Sequence, residues 1–212
     1  MLYINELFTS IQGEGIRAGV PATFIRLQGC DVGCPFCDTR YAWKEGDTLQ
    51  AMTEEQIMEQ VKAPYTIITG GEPLMQNITK LLMLCNQAKR WPYIETSGKY
   101  WLEDLEMLAR VTLSPKAKLG YDFRADFEII ADEVKLVVDD NLDEEIIHGL
   151  MDRFGGRKYT PPPPFVLMPE SYNWKPYLLK PEMVKKAYDL VMKINSPWVR
   201  YGDRLQCRLG VK

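Results

Sequence analysis

The sequence predicts an α/β fold in which about six strand–loop–helix units build a partial, largely parallel β/α barrel, short of a closed eight-unit one. Three observations carry this reading. Short apolar, β-branched runs recur along the chain and alternate with stretches of helical period. At 212 residues and 46% hydrophobic, the chain has the size and apolar content of one domain, read as residues 1–212 with short extensions at both ends. The unusual residues fall just beyond the runs: Cys30, Gly70-Gly71-Glu72, Glu95-Thr96-Ser97-Gly98 and Ser114-Pro115-Lys116. Parallel α/β folds place their sites at that carboxyl edge.

Residues 3–10 read as a short opening strand. Gln12-Gly13-Glu14-Gly15 follows, its glycines permitting a tight turn around an amide and a carboxylate; a solvent-exposed turn is the simpler alternative. The first barrel strand runs from Ala22 to about residue 28 and carries Arg26 in an apolar run. A buried unpaired charge is costly, so Arg26 wants a carboxylate, from the protein or from a ligand. Tyr41 to Leu49 is aromatic and turn-rich. Thr53-Glu54-Glu55-Gln56 fits a capping box and opens a helix to about Val61.

Tyr65 to Thr69 is the second strand, ending in Gly70-Gly71-Glu72-Pro73. A helix over 76–90 has the stripe Ile78, Leu81, Leu82, Leu84 and Cys85, which makes Cys85 a core thiol. Pro92 to Thr96 is the third strand, 102–109 a short helix and Val111 to Leu113 the fourth strand. A polar excursion with Asp122, Arg124 and Asp126 precedes the fifth strand, Glu133 to Asp139. Asn141 to Phe154 reads as a helix in which His148, the only histidine, is structural. Gly155-Gly156 and Pro161 to Pro164 form a stiff connector. Phe165 to Pro169 is the sixth strand. Pro181 opens a helix to Ile194, Ser196-Pro197-Trp198 breaks it, and Arg204 to Leu209 is expected as a closing strand.

The formal charge of −3 gives no basic footprint for nucleic acid. Five cysteines are too few for a dense secreted disulfide framework, and clustered thiols fit a reducing compartment. Met1 to Glu6 shows no signal-peptide pattern, and no apolar stretch is long enough to span a bilayer. The expected location is the cytoplasm.

Cys30, Cys34 and Cys37 stand at spacings of four and three, directly after the first barrel strand. Thiolates suit soft metals. Three close thiols admit an iron–sulfur cluster with one iron left open, a zinc ion, or ordinary cysteines. Zinc would want a fourth ligand, and His148, Cys85 and Cys207 are all distant in sequence.

Cys30-x3-Cys34-x2-Cys37, with the aromatic Phe36 before its last cysteine, resembles the signature of radical S-adenosylmethionine enzymes, and Gly70-Gly71-Glu72-Pro73 resembles their second motif. Over nearly the whole chain the sequence is similar to the 7-carboxy-7-deazaguanine synthases. The similarity is strongest from Phe8 to Tyr41 and returns at Thr69 to Pro73, Glu95 to Gly98 and Ser114 to Lys116. It implies a [4Fe–4S] cluster on Cys30, Cys34 and Cys37, with S-adenosylmethionine on the fourth iron. Gly70, Gly71 and Glu72 then contact the methionyl amine, Phe36 packs near the adenine, and Ser97, Ser114 and Lys116 make further cofactor contacts.

Gln12, Glu14, Arg26 and Gly71 resemble the substrate-binding set for 6-carboxy-5,6,7,8-tetrahydropterin, and Thr39 resembles a Mg2+ contact. The implied reaction is a radical ring contraction with loss of ammonia, leading toward queuosine and related deazapurines. A homodimer and a flavodoxin or ferredoxin as reductant are implied with it. One departure stands out. The substrate-pocket histidine that relatives often carry near the carboxyl terminus is missing, and Gln206 or Arg208 is the candidate substitute. The competing readings are a glycyl-radical activase acting on a protein, an iron–sulfur electron carrier and a zinc-stapled module.

Overall fold

The computed structural model describes residues 1–43, 49–156, 161–172 and 175–211, with only the backbone at 175–177. Residues 44–48 of the turn-rich stretch and 157–160 of the expected connector lie outside the described residues.

In chain order the elements are β1 (Leu2–Ile11), β2 (Pro21–Leu27), β3 (Gln50–Met52), α1 (Glu54–Gln60), β4 (Tyr65–Gly70), α2 (Thr79–Gln87), β5 (Trp91–Thr96), α3 (Leu105–Leu108) and β6 (Arg110–Leu113). There follow α4 (Phe127–Ile130), β7 (Ala131–Val138), α5 (Glu144–Phe154), β8 (Phe165–Pro169), β9 (Ser171–Tyr172), β10 (Lys175–Leu179), α6 (Pro181–Ile194), β11 (Val199–Tyr201) and α7 (Leu205–Leu209). Among the described residues one sheet of nine strands runs β11-β8-β7-β6-β5-β4-β2-β1-β3, and β9 pairs with β10 apart from it.

The six expected barrel strands are all present as β2, β4, β5, β6, β7 and β8, mutually parallel in the sheet. A seventh, β11, adds parallel to β8. The closing strand expected at 204–209 is corrected on two counts. The strand lies earlier, at Val199–Tyr201, and the later segment is the helix α7. Leu205 and Leu209 stand one helical turn apart, Leu205 N–H donates to the Gly13 carbonyl at 2.9 Å, and Gly210 ends the helix in the left-handed region at φ +66°. Past its seat on Gly13 the segment closes its backbone bonds locally, with Cys207 N–H donating to the Arg204 carbonyl at 3.0 Å.

The opening strand is antiparallel to its neighbours. Ile4 pairs with Leu27 and Ile11 with Pro21, so β1 ends at the amino edge of the barrel. The Gln12–Gly15 turn therefore approaches from below and forms a floor, while the cysteine loop lies at the carboxyl edge above it.

The core is the layer between strands and helices. Ile25, Ile68, Ile94, Leu113, Val134 and Leu136 meet Leu81, Leu82, Ile147 and Ala187, all fully buried. Each large aliphatic side chain buried there is worth about 1.5–3 kcal/mol, so this layer and not the site loops carries the stability. Cys85 lies in it, its thiol pushed up to about 11 by burial, whereas His148 is exposed beside Glu144.

The capping box on α1 is formed. Gln56 N–H donates to Thr53 Oγ1 at 3.2 Å and Thr53 N–H donates to Gln56 Oε1 at 2.9 Å. Thr53→Ala is expected to cost about 1 kcal/mol in urea unfolding with cluster content unchanged; an unchanged unfolding midpoint would mean that the buried face around Ile57 alone sets this helix.

Candidate active site

Beyond β2 the chain turns at Gly29, whose N–H donates to the Ala42 carbonyl at 2.8 Å, and Cys30 N–H donates to the Trp43 carbonyl at 3.3 Å. Cys30, Cys34 and Cys37 are free thiols on this loop. Trp43 Nε1–H donates to Cys37 Sγ at 3.2 Å, and Thr39 Oγ1 lies 3.5 Å from the same sulfur. Burial pushes the Cys30 thiol up from its ordinary value against amide bonds from Val32 and Gly33, with the Glu72 carboxylate adding to the rise. Burial does the same at Cys34, where the Lys116 cation opposes it. Glu72 and Lys116 thus border the thiols from two other strand ends.

The end of β4 lies directly on the end of β2. Gly71 N–H donates to the Leu27 carbonyl at 3.0 Å and Glu72 N–H to the Gly29 carbonyl at 2.8 Å. A methyl group at Gly71 would overlap that Gly29 carbonyl, which is why glycine stands there. The Gly71 carbonyl has no donor among the described residues. Glu72, buried, accepts Thr96 Oγ1–H at 2.6 Å, Ser97 Oγ–H at 2.6 Å, Ser97 N–H at 2.8 Å and Leu74 N–H at 3.3 Å. Its carboxylate ties β4 to β5. Ser114 Oγ–H donates to the Lys135 carbonyl at 2.9 Å and receives Lys116 Nζ at 2.6 Å, which extends the edge to β6 and β7.

Inside the barrel lies a charged network. Lys135 Nζ, on β7, donates to Glu14 Oε2 at 3.0 Å and Glu95 Oε1 at 3.2 Å. Gln12 Nε2 and Thr69 Oγ1 donate to Glu95 at 3.0 and 3.1 Å. Glu14 Oε1 accepts Arg204 Nε at 3.0 Å and Gln206 Nε2 at 3.1 Å. Burial by itself would push the Glu14 carboxyl up; Lys135 and Arg204 overcome it and hold the group well below the usual carboxylate range. Burial would likewise lower Lys135, but Glu14, Glu95 and Glu133 raise it well above the ordinary lysine range. Arg26 donates through Nε to Glu6 Oε2 at 2.9 Å, and Tyr41 O–H donates to the same oxygen at 3.1 Å.

A family model described as a 4Fe-4S single cluster domain matches residues 11–113. A 7-carboxy-7-deazaguanine synthase of Aquifex aeolicus is 30% identical over 197 residues, 89% of this chain and 88% of the relative. That of Synechocystis sp. is 39% identical over 171 residues, covering 79% and 77%. The chain belongs to the 7-carboxy-7-deazaguanine synthase family. The crystal structure of QueE from Escherichia coli matches the fold at a TM-score of 0.76 and 26% identity, over 96% of this chain and 94% of that one. Streptococcus suis SuiB bound to S-adenosylmethionine shares the fold alone, at a TM-score of 0.54 and 16% identity over 83% of this chain and 48% of its own.

Membership in this radical S-adenosylmethionine family brings a 4Fe-4S cluster, and the residues of the synthase-family loop fit one. The three thiols form no disulfide, the Trp43 indole N–H already donates to the Cys37 sulfur, and the Thr39 hydroxyl lies beside it, surroundings that suit a ligating thiolate. Among the described residues no three His, Cys, Asp or Glu side chains come together around one metal ion. A cluster makes no such demand, since each thiolate takes a different iron.

Each expected site residue has a definite place. Phe36, Thr39 and the three cysteines share one loop; Gly70, Gly71, Glu72, Ser97, Ser114 and Lys116 line the adjoining strand ends; Gln12 and Glu14 lie on the floor. Arg26 has its carboxylate in Glu6, across the β1–β2 pairing, and not in Glu14. Of the two substitutes for the family histidine, Gln206 reaches Glu14, whereas Arg208 is exposed and pairs with Asp203 at 2.9 Å. Sequence reasoning missed Lys135, Arg204, Glu6 and Trp43 and set Glu95 aside. Lys135 carried the same signal as Arg26, a charge inside an apolar strand. Among the described residues no helix is long and apolar enough to cross a membrane.

Proposed function

We infer that this chain catalyses the family reaction, the radical-mediated ring contraction of a pterin-type substrate, 6-carboxy-5,6,7,8-tetrahydropterin, to 7-carboxy-7-deazaguanine with loss of ammonia, in deazapurine and queuosine biosynthesis. The observation that carries this reading is that the loop of three free thiols is joined, through Asp38 and Arg204, to the charged network of Glu14, Lys135 and Glu95 inside the barrel. When bound, a [4Fe–4S] cluster supplies an open iron and one electron for cleaving S-adenosylmethionine.

Cys30, Cys34 and Cys37 hold the cluster. The donorless Gly71 carbonyl, with the Gly70 backbone, accepts from the methionyl amine. Lys116, whose ammonium hydrogen-bonds only the Ser114 hydroxyl among the described residues, is a cation placed to meet the methionyl carboxylate. Glu72 and Ser97 bind one another, so they serve the cofactor by fixing the shape of two strand ends. Phe36 packs near the adenine.

Arg26 presents the distal fork of its guanidinium to the substrate carboxylate while Glu6 holds Nε. Gln12 and Glu14 read the amino-pyrimidinone edge; about one of the four acceptor positions of Glu14 stays open after its three protein bonds. Thr39 would offer a hard hydroxyl oxygen to Mg2+. A homodimer and a flavodoxin- or ferredoxin-type reductant belong to the same proposal, by resemblance to the family.

The test is anaerobic reconstitution with iron and sulfide, followed by S-adenosylmethionine, reductant, Mg2+ and the carboxytetrahydropterin. Mass spectrometry should find the ring-contracted acid. Adenosyl cleavage without that acid would keep the radical chemistry and remove this substrate.

A further inference from the structure

After β11 the chain leaves the last parallel strand and returns across the open side of the barrel. Gly202 N–H donates to the Leu167 carbonyl at 2.9 Å, and Leu205 N–H to the Gly13 carbonyl at 2.9 Å. Between these two fastenings sits Arg204, its side chain largely buried. Among the described residues its guanidinium reaches three separate segments. Nε donates to Glu14 Oε1 at 3.0 Å, on the floor turn; Nη1 donates to Ser171 Oγ at 3.1 Å, just beyond β8; Nη2 donates to Asp38, next to the last cluster cysteine. Asp38 and Glu14 make no bond to each other among the described residues, so this cation is their link.

We propose that Arg204 is a positioning residue that couples the Gln12–Gly15 turn to the cysteine loop, so that the substrate-reading carboxylate and the cluster keep one fixed separation. The proposal rests on the reading of Glu14 as a pterin contact. The physical basis is the rigid planar fork, which holds two carboxylates and a hydroxyl at set angles. A lysine carries the charge on one point and cannot span all three. In a radical reaction the distance between the hydrogen-abstracting carbon and the substrate decides the outcome, and misplacement by about 1 Å can cost on the order of a hundredfold.

The experiment uses Arg204→Met, Arg204→Lys, Asp38→Asn and the double variant Arg204→Met/Asp38→Asn. In the protein before reconstitution, amide hydrogen exchange is followed at 12–15 and at 36–40. Asp38→Asn leaves Glu14 chemically intact, yet exchange is expected to speed up at 12–15 as well as at 36–40. In the reconstituted enzyme Arg204→Met is expected to raise KM for the pterin about tenfold, the size of one charge-assisted hydrogen bond. The same change on the Asp38→Asn background should cost clearly less, and Arg204→Lys should recover thermal stability without recovering KM.

Additive effects in the double variant, full recovery of KM by lysine, or faster exchange confined to the mutated loop would each overturn the coupling. If wild-type enzyme gives no ring-contracted product, the substrate reading fails, and the exchange data alone then decide whether the two loops are linked.

Discussion

Cys34→Ala is expected to strip the reconstituted protein of its cluster and reduce ring contraction to background. With one thiolate gone, two anchors remain, and the bonds that fasten the loop, among them Cys30 N–H to the Trp43 carbonyl at 3.3 Å, Tyr100 O–H to Asp31 at 2.6 Å and Arg204 to Asp38, supply no replacement ligand. Holding the metal is therefore the task of the side chains. Cys85→Ala is the contrast. Cys85 is fully buried against α1 and the sheet, so its loss opens a void and lowers stability, while the cluster is untouched. Iron and sulfide content, the visible absorbance of the reconstituted protein and a urea unfolding curve separate the two cases. A Cys34→Ala protein that retains a full complement of iron would show that the loop does not bind a cluster as described.

Lys135→Met is expected to destabilise the fold by up to about 3–5 kcal/mol, because it takes the shared cation from the partly buried Glu14 and Glu95 carboxylates. Lys135 is nearly inaccessible and lies between Glu14 and Glu95, with Glu133 on the same strand. Methionine keeps the length of the stem, so the loss reports charge and not volume. The pH dependence has a definite sign. In the wild type Glu14 is held below its ordinary value, so its contribution is complete above about pH 4.3 and is lost progressively as the pH falls from there toward the lowered folded value.

Lys135 is raised above its ordinary value, so its contribution is complete below about pH 10.4 and is lost only at more alkaline pH. In the variant the surplus buried carboxylates favour protonation, which stabilises the folded state as the pH drops. The difference in unfolding midpoint between wild type and Lys135→Met should therefore narrow from about pH 7 to about pH 5. A difference that widens over this range would mean that the network is not held by this lysine.

The six barrel strands were readable because each is a short apolar run bounded by breakers, a pattern that local sterics and burial impose wherever the run sits. The cysteine loop was readable for a related reason: its three thiols lie within eight residues, so one stretch contains the whole proposed donor set. The segment at 204–209 was not. Five helical residues are too few to display a period, and the bond that seats them goes to Gly13 at the other end of the chain.

Arg26 announced that it needed a partner, yet Glu6 could be chosen only once β1 was known to run antiparallel to β2. Lys135 gave the same announcement, but its partners Glu14 and Glu95 are 121 and 40 residues away. Arg204 gave none, since a polar residue in a polar stretch is indistinguishable from a solvated one; Glu14 and Asp38 lie 190 and 166 residues before it. Local patterns thus settled the barrel strands, the three-cysteine motif and the family from the chain alone. Which charges meet inside the barrel was settled by the tertiary structure, because a Coulomb pair depends on distance in space and the chain order holds no record of it.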